Sequence, residues 1–400
     1  MRARIMEGRH DEDLWRAQVA AYGLTRAMII GKPDLSVNFL RSLSRQLAVL
    51  YTAPGEISHA DGPFPELLGE WAAGPVDQAG QPKPIRVPGA IEGAGYWSIM
   101  GRVQQWTLAL NEMCVQPTVV DLETGTPRLV YRVVAPHHVV AKACDEDRSK
   151  PEVLRELVRR RDPVTDRIGF AWDEWSIENR ENQTYRVVEV TRDGRDGEDI
   201  TGLFFESPQS GDAYQWRRSD GVPTIPWVIY HKHWPYEVFD PFEGREAVEG
   251  TLQLSTDWAY WRHCFQDAAY PARWVIGARV RTHQVVPASG NEPARTHAIA
   301  DPTVITEFIT DDNATQVQVG QWQPGADPKA LGEALASKEA RLGQQLGVDS
   351  SDLVRTSGDP RSGYALAISQ EAKRQAQVTY RPVFERADQE LIGLTALVAN

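Results

Sequence analysis

The sequence predicts an α+β fold. β-type runs follow one another from Pro117 to His231 without a helix between each pair. Long segments with helical apolar spacing flank a separate strand-and-turn stretch at 272–323. That order excludes a doubly wound sheet or a barrel of alternating units, which need a helix after each strand. The 400 residues fit two or three structural units, and 42% hydrophobic with 24% charged residues is the profile of a globular chain that can bury a core.

The elements read as follows. From Asp11 to about Ile30 the chain is helix-compatible, and Lys32-Pro33-Asp34 breaks it. In Ser36 to Tyr51, Phe39, Leu40, Leu43, Leu47 and Leu50 recur at helical spacing, with Arg41, Arg45 and Gln46 opposite; Pro54-Gly55 ends that helix. Residues 55–95 are rich in Gly and Pro and read as loop, followed by a helix from Tyr96 to Met113. Strands are expected at Pro117–Asp121, Arg128–Val134, His138–Ala141, Ile168–Trp175, Thr184–Thr191 and Thr224–His231, with one polar helix around Glu152 to Arg160. Gly244 opens a long helix to Tyr270, in which Leu254, Trp258, Trp261 and Phe265 form one stripe and Pro271 is the stop. β-branched runs recur at Trp274–Val280, Val304–Thr310 and Thr315–Val319. Asp327 then starts a third helix to about Leu346, with Leu331, Leu335, Leu342 and Leu346 on one face. A polar break at Gly347–Gly363 precedes a last helical stretch from Tyr364, which Arg381-Pro382 should kink or break.

Composition narrows the function classes. With 43 Lys+Arg against 55 Asp+Glu the net charge is −12, which is unsuited to gripping nucleic acid through phosphate neutralisation. A protein that lets a polyanion pass is still allowed. Thirteen Trp point toward large buried surfaces, including subunit contacts. Cys114, Cys144 and Cys264 are far apart and form neither a disulfide framework nor a CxxC zinc site. The opening MRARIMEGRHDEDLW lacks a hydrophobic signal core and no run has the ~18 apolar residues of a membrane helix. The expectation is a reduced, cytoplasmic chain.

Enzyme motifs fail one by one. Gly31-Lys32 lacks the earlier glycine of a phosphate loop and is followed by Pro33, and Gly93-Ala94-Gly95 lacks a third glycine and a βαβ context. His137-His138 and the pair His231 and His233 have no further ligand at metal spacing, and neighbours on a strand should face opposite ways. Asn291-Glu292-Pro293 matches a tripeptide that holds the general acid in one group of sugar hydrolases, so a carbohydrate-active hydrolase using Glu292 is the rival reading. The surrounding Pro287–Asn291 run is turn-like, whereas such an acid sits at the end of an apolar strand opposite a second carboxyl. In Trp172-Asp173-Glu174-Trp175 the adjacent acids should project to opposite faces. No nucleophile elbow or HExxH helix is present, and Asp193–Asp199 reads as a hairpin turn rather than a calcium loop.

The order of elements is the informative feature. Asn38–Pro54 (NFLRSLSRQLAVLYTAP), Val133–Val140 (VVAPHHVV), Gly221–Glu249 (GVPTIPWVIYHKHWPYEVFDPFEGREAVE) and Lys338–Leu366 (KEARLGQQLGVDSSDLVRTSGDPRSGYAL) together resemble the portal proteins of tailed bacteriophages. The resemblance implies a wing at 1–243, a first stem helix at 244–271, a β-rich clip at 272–325 and a second stem helix at 326–346. A tunnel loop at 347–363 and a short helical crown at 364–400 complete it. It also implies a homo-oligomeric ring, usually of twelve copies, at one capsid vertex of the virion. Its partners would be the terminase large subunit, a head-completion adaptor, and the major capsid and scaffolding proteins, with double-stranded DNA passing through without sequence specificity. No cofactor and no catalysis are implied.

On that mapping Asp349, Ser350, Ser351, Asp352, Arg355 and Arg361 face the DNA. Residues 347–400 carry seven acids and six bases, and so little net charge should not arrest a sliding duplex. Arg279, Arg281, His283, Arg295 and His297 form the clip surface for neighbours or docking partners. Residues 271–300 carry net +3 and 301–330 net −4, opposed patches suited to pairing between subunits. Leu254, Trp258, Trp261 and Phe265 pack the stem, against a neighbouring stem or within the chain. Some other ring-forming interaction protein is the third reading.

Overall fold

The computed structural model describes residues 1–22, 38–51, 69–76, 82–121, 127–164, 166–178, 183–205, 209–210, 214–218, 220–241, 245–269, 273–276, 278–280, 283–285, 295–297, 308–310, 318–321, 327–345 and 371–399. The fold is α+β, and the chain divides into two compact units: Met1–His10 with Asn38–Thr251 and Leu342–Asn400, and Asp11–Val37 with Leu252–Arg341. Beside one turn of helix at Ala90–Gly93, the helices are α1 (Arg2–Glu7), α2 (Asp11–Tyr22), α3 (Phe39–Leu47), α4 (Tyr96–Leu110), α5 (Arg245–Ala269), α6 (Pro328–Gln345) and α7 (Glu371–Ala399). Among the described residues none is long and apolar enough to cross a membrane.

The first unit is organised by a three-stranded antiparallel sheet in the order β11 (Val228–His231), β3 (Glu112–Asp121), β4 (Pro127–Val134). Both faces of this sheet are covered along residues 112–117, whereas Val119, Val120 and Val130 at its far end are more than a third exposed. Met113, Val115, Tyr131 and Tyr230 join a core with α1, α3, α4 and α7, whereas Cys114 belongs to a second core. Burial on both faces removes the alternation along residues 112–117, whereas β4 alternates from Arg128 to Tyr131. Asn38 caps α3, its Oδ1 accepting from Arg41 N at 3.0 Å, and the helix buries Phe39, Leu40, Leu43 and Leu47 as the spacing predicts.

The second core lies under a six-stranded antiparallel sheet. It runs β10 (Gln209–Ser210), β8 (Thr184–Val190), β7 (Ile168–Ser176), β6 (Pro151–Arg161), β5 (Val139–Ala143), with β9 (Asp196–Asp199) also pairing with β8. Leu154, Ala171, Trp175, Tyr185 and Val187 supply its inner face and Tyr214, Ile225 and Trp227 close over it. The turn expected at Asp193–Asp199 leads into β9.

Three expectations about elements need correction. The polar helix expected at Glu152–Arg160 is strand β6, in register with β5 and β7. Leu154, Leu157 and Val158 fall at helical spacing, but two flanking strands and a buried face holding Leu154 and Glu156 decide the conformation. The loop expected at 55–95 contains a hairpin of β1 (Gly69–Val76) and β2 (Pro82–Pro88). Finally, α7 continues through Pro382 instead of breaking there.

The second unit contains α2, the later part of α5, the first part of α6, and the strands between α5 and α6. Those strands are nested. β12 (Arg273–Ile276) pairs with β17 (Gln318–Gln321), β13 (Ala278–Val280) with β16 (Phe308–Thr310), and β14 (His283–Val285) with β15 (Arg295–His297). Outermost pairs with outermost throughout, so the described strands form a nested ribbon of three separate two-stranded antiparallel pairings.

Candidate functional site: a helix, ribbon and helix arm

The ribbon is framed by α5 and α6, which run antiparallel. Lys338 Nζ reaches Asp257 Oδ2 at 2.6 Å and Trp261 Nε1 donates to Pro328 O at 2.8 Å, so advancing along α5 retreats along α6. Gly332 permits this approach, because a Cβ built there would lie 3.1 Å from Trp261 Nε1. The side chain of Trp261 thus serves the intrachain helix pair.

The rest of the stripe is graded in burial. Leu254 is fully buried, Trp258 is half-buried and Phe265 is 53% exposed. Trp258 meets Trp261 edge-on at 5.3 Å, and Trp261 stacks on Phe265 at 5.6 Å. One end of the stripe is buried within the chain, and the other ends in the exposed ring of Phe265.

On the ribbon, the register sets His283 directly opposite His297, Arg295 opposite Val285 and Arg279 opposite Ile309. Arg281 lies outside the described residues, as do Asp349, Ser350, Ser351, Asp352, Arg355, Arg361 and Glu292.

The other candidate residues have structural partners. Asp173 and Glu174 face opposite sides of β7: Asp173 is held by Arg160 Nη2 at 2.7 Å, and Glu174 by Arg155 and Arg186. Each carboxylate is nearly buried, at 3% and 2% exposure, and already engaged by guanidinium groups. The outer face of this sheet carries an open recess of about 510 Å³, which Arg155, Glu174 and Arg186 line together with Lys142 and Glu178. His137 and His138 lie not on a strand but in a short helical turn that Pro136 starts, and their rings stand 4.2 Å apart. The rule of opposite faces therefore does not apply to them. Among the described residues no three His, Cys, Asp or Glu side chains form a metal-holding group.

One pair escaped the sequence reading. Glu156 stands directly opposite Asp173 across β6 and β7, so two buried carboxyls share a face. Burial pushes Glu156 up to about 7, Arg132 opposes that and Asp173 adds to it. The helix assignment hid this pair; a period of two through Leu154, Glu156, Val158 and Arg160 was the available signal.

A scan against protein-family models returned no match, and a search of curated proteins returned none.

Proposed function

We propose that this chain is the subunit of a phage portal: a ring at one capsid vertex through which a terminase motor threads DNA and through which the DNA later leaves. The observation that carries the reading is the arm, in which two antiparallel helices bracket three nested β pairings and the aromatic stripe of the first helix ends in an exposed Phe265. Such an arm is suited to standing beside copies of itself, since aromatic surface buries large area at low rotamer cost. The acidic balance of the chain supports a conduit over a DNA clamp, because each phosphate neutralised would add affinity and slow sliding.

The test is the mass of the purified protein in solution, together with end-on imaging by negative stain. The portal reading expects closed rings near twelve times 44.8 kDa, the number twelve being that of the resembling family. A stable solitary chain without rings at assembly concentrations would overturn it. Removing residues 350–361 is expected to leave the rings closed but impair DNA packaging or retention; an unaltered phage yield counts against a role for that segment.

A further inference from the structure

Helix α4 hands over to β3 through Asn111, a non-glycine residue at φ 85°. Its side-chain Nδ2 donates to Glu112 Oε1 at 2.9 Å, and the backbone N–H of Asp240 donates to the same oxygen at 3.2 Å. His231 stands opposite Glu112 in the β3–β11 register. Together with Trp234 and Tyr236, these four residues line a cavity of about 170 Å³.

Two polar atoms in its wall are orphaned. Asn111 and His231 are each only 6% exposed, yet Asn111 Oδ1 and His231 Nδ1 have no hydrogen-bond partner. An unpaired buried acceptor costs about 1–3 kcal/mol, so such atoms mark places where a donor is missing. The mouth is aromatic, with Trp234 51% and Tyr236 86% exposed; the guanidinium of Arg386 lies over one face of Trp234 at 5.5 Å, which leaves Tyr236 and the other face of Trp234 for a ligand.

The inventory of the wall favours one class of ligand. Acceptors dominate: the Asn111 carbonyl oxygen, the Glu112 and Asp240 carboxylates, and an imidazole that burial keeps neutral by pushing it down to about 4. Lys232 and His233 also line the cavity. Arg2 acts on Glu112 through its charge, while its Nη1 donates to Leu110 O at 2.6 Å. Even so, burial dominates and pushes Glu112 up to about 7. The space equals about five to six non-hydrogen atoms at roughly 30 Å³ each, more than a bare metal ion fills.

We propose that this cavity is a socket for one alkylammonium or guanidinium group. Its N–H donors would meet Asn111 Oδ1 and the Glu112 carboxylate, and its alkyl stem would lie against Trp234 and Tyr236, where a cation also gains from the ring faces. The proposal is independent of the portal reading.

The experiment is calorimetric titration of the full-length protein with n-butylammonium chloride and with ethylguanidinium chloride, using n-butanol as the neutral isostere. Saturable binding of the cations and none of the alcohol is expected, with affinity rising from about pH 6 to about pH 8 as Glu112 ionises. Glu112→Gln should weaken binding by about tenfold or more. Tyr236→Ala, at an exposed position that the fold does not need, should weaken it several-fold. Equal binding of butanol, no binding of either cation, or affinity unchanged in both variants would overturn the socket. The source is read from a second arm. Self-association that excess ethylguanidinium abolishes assigns the group to a Lys or Arg side chain of another copy. Self-association indifferent to it, with titration still saturable, assigns a free amine; either upholds the chemistry.

Discussion

At the scale of single residues, the most connected group in the first unit is Asp388 on α7. Tyr51 donates to both of its oxygens at 2.9 and 2.7 Å, and Tyr96 and Tyr230 donate to Oδ1 at 2.9 and 2.8 Å. Burial holds all three phenols protonated, so they remain donors, and one carboxylate ties α7 to α4, β11 and the segment after α3. Asp388→Asn replaces an anionic acceptor that serves three O–H groups and is expected to cost about 2–4 kcal/mol in urea unfolding. The three Tyr→Phe variants should be non-additive, because they share that acceptor. A second prediction concerns Glu112 and Glu156, both pushed up to about 7 by burial from an ordinary 4.5. A carboxyl whose folded value is raised holds its proton more tightly when folded, so its contribution is complete below about pH 4.5 and declines as pH rises toward 7. His231, pushed down to about 4 from an ordinary 6.5, works the other way over the same range, and stability measured by thermal unfolding should show a net fall on the order of 2 kcal/mol between pH 5 and pH 7.5. The Glu112→Gln/Glu156→Gln double variant should remove that fall and leave the opposite slope due to His231.

Among elements, local pattern and tertiary context part company in ways that have physical causes. The first helix of the arm was legible because Leu254, Trp258, Trp261 and Phe265 repeat at helical spacing over three turns. Strand β6 was not, since its apolar residues satisfy a helical pattern and only pairing on both sides selects the extended form. In β2 the prolines act as apparent breakers. Yet Pro84 and Pro88 share one parity, and in a two-stranded hairpin that parity can point every missing N–H away from the partner strand. Pro382 is tolerated in α7 for a related reason. The carbonyl it leaves unpaired belongs to Val378, which is 72% exposed and open to water, while Tyr380, Val383, Phe384 and Ala387 pin the flanking turns in the core. The Asp388 clasp was illegible because its partners lie 337, 292 and 158 residues away in the chain. The α5–α6 contact yields a prediction of its own. Gly332→Val places a branched side chain against Trp261 and should break the bond from Nε1 to Pro328 O. A loss of about 1–3 kcal/mol is expected in denaturant unfolding, and a smaller one for Trp261→Phe, which deletes the donor without the clash.

For the whole molecule, the proposal turns on what the arm is for, and its aromatic stripe gives a means of asking. The sequence carried the succession of helix, β insert and helix, since each piece has its own local pattern. The nesting of the ribbon required pairings between strands up to 48 residues apart, such as Arg273 with Gln321, that no local signal encodes. Leu254 and Trp261 are spoken for within the chain, so changing either would confuse folding with assembly. Phe265 is different. At 53% exposure its main intrachain role is stacking on Trp261, and Phe265→Asp should cost the isolated subunit only about 1 kcal/mol. If the stripe meets a neighbouring arm, the same change sets a carboxylate into a desolvated aromatic contact once per interface, and the cost is repeated around the ring. The expected outcome is a folded chain with near-parental melting that sediments at 44.8 kDa where the parent forms rings. Rings of undiminished stability in Phe265→Asp would place the subunit contact elsewhere on the molecule, whereas melting that collapses together with assembly would assign Phe265 to the chain's own core.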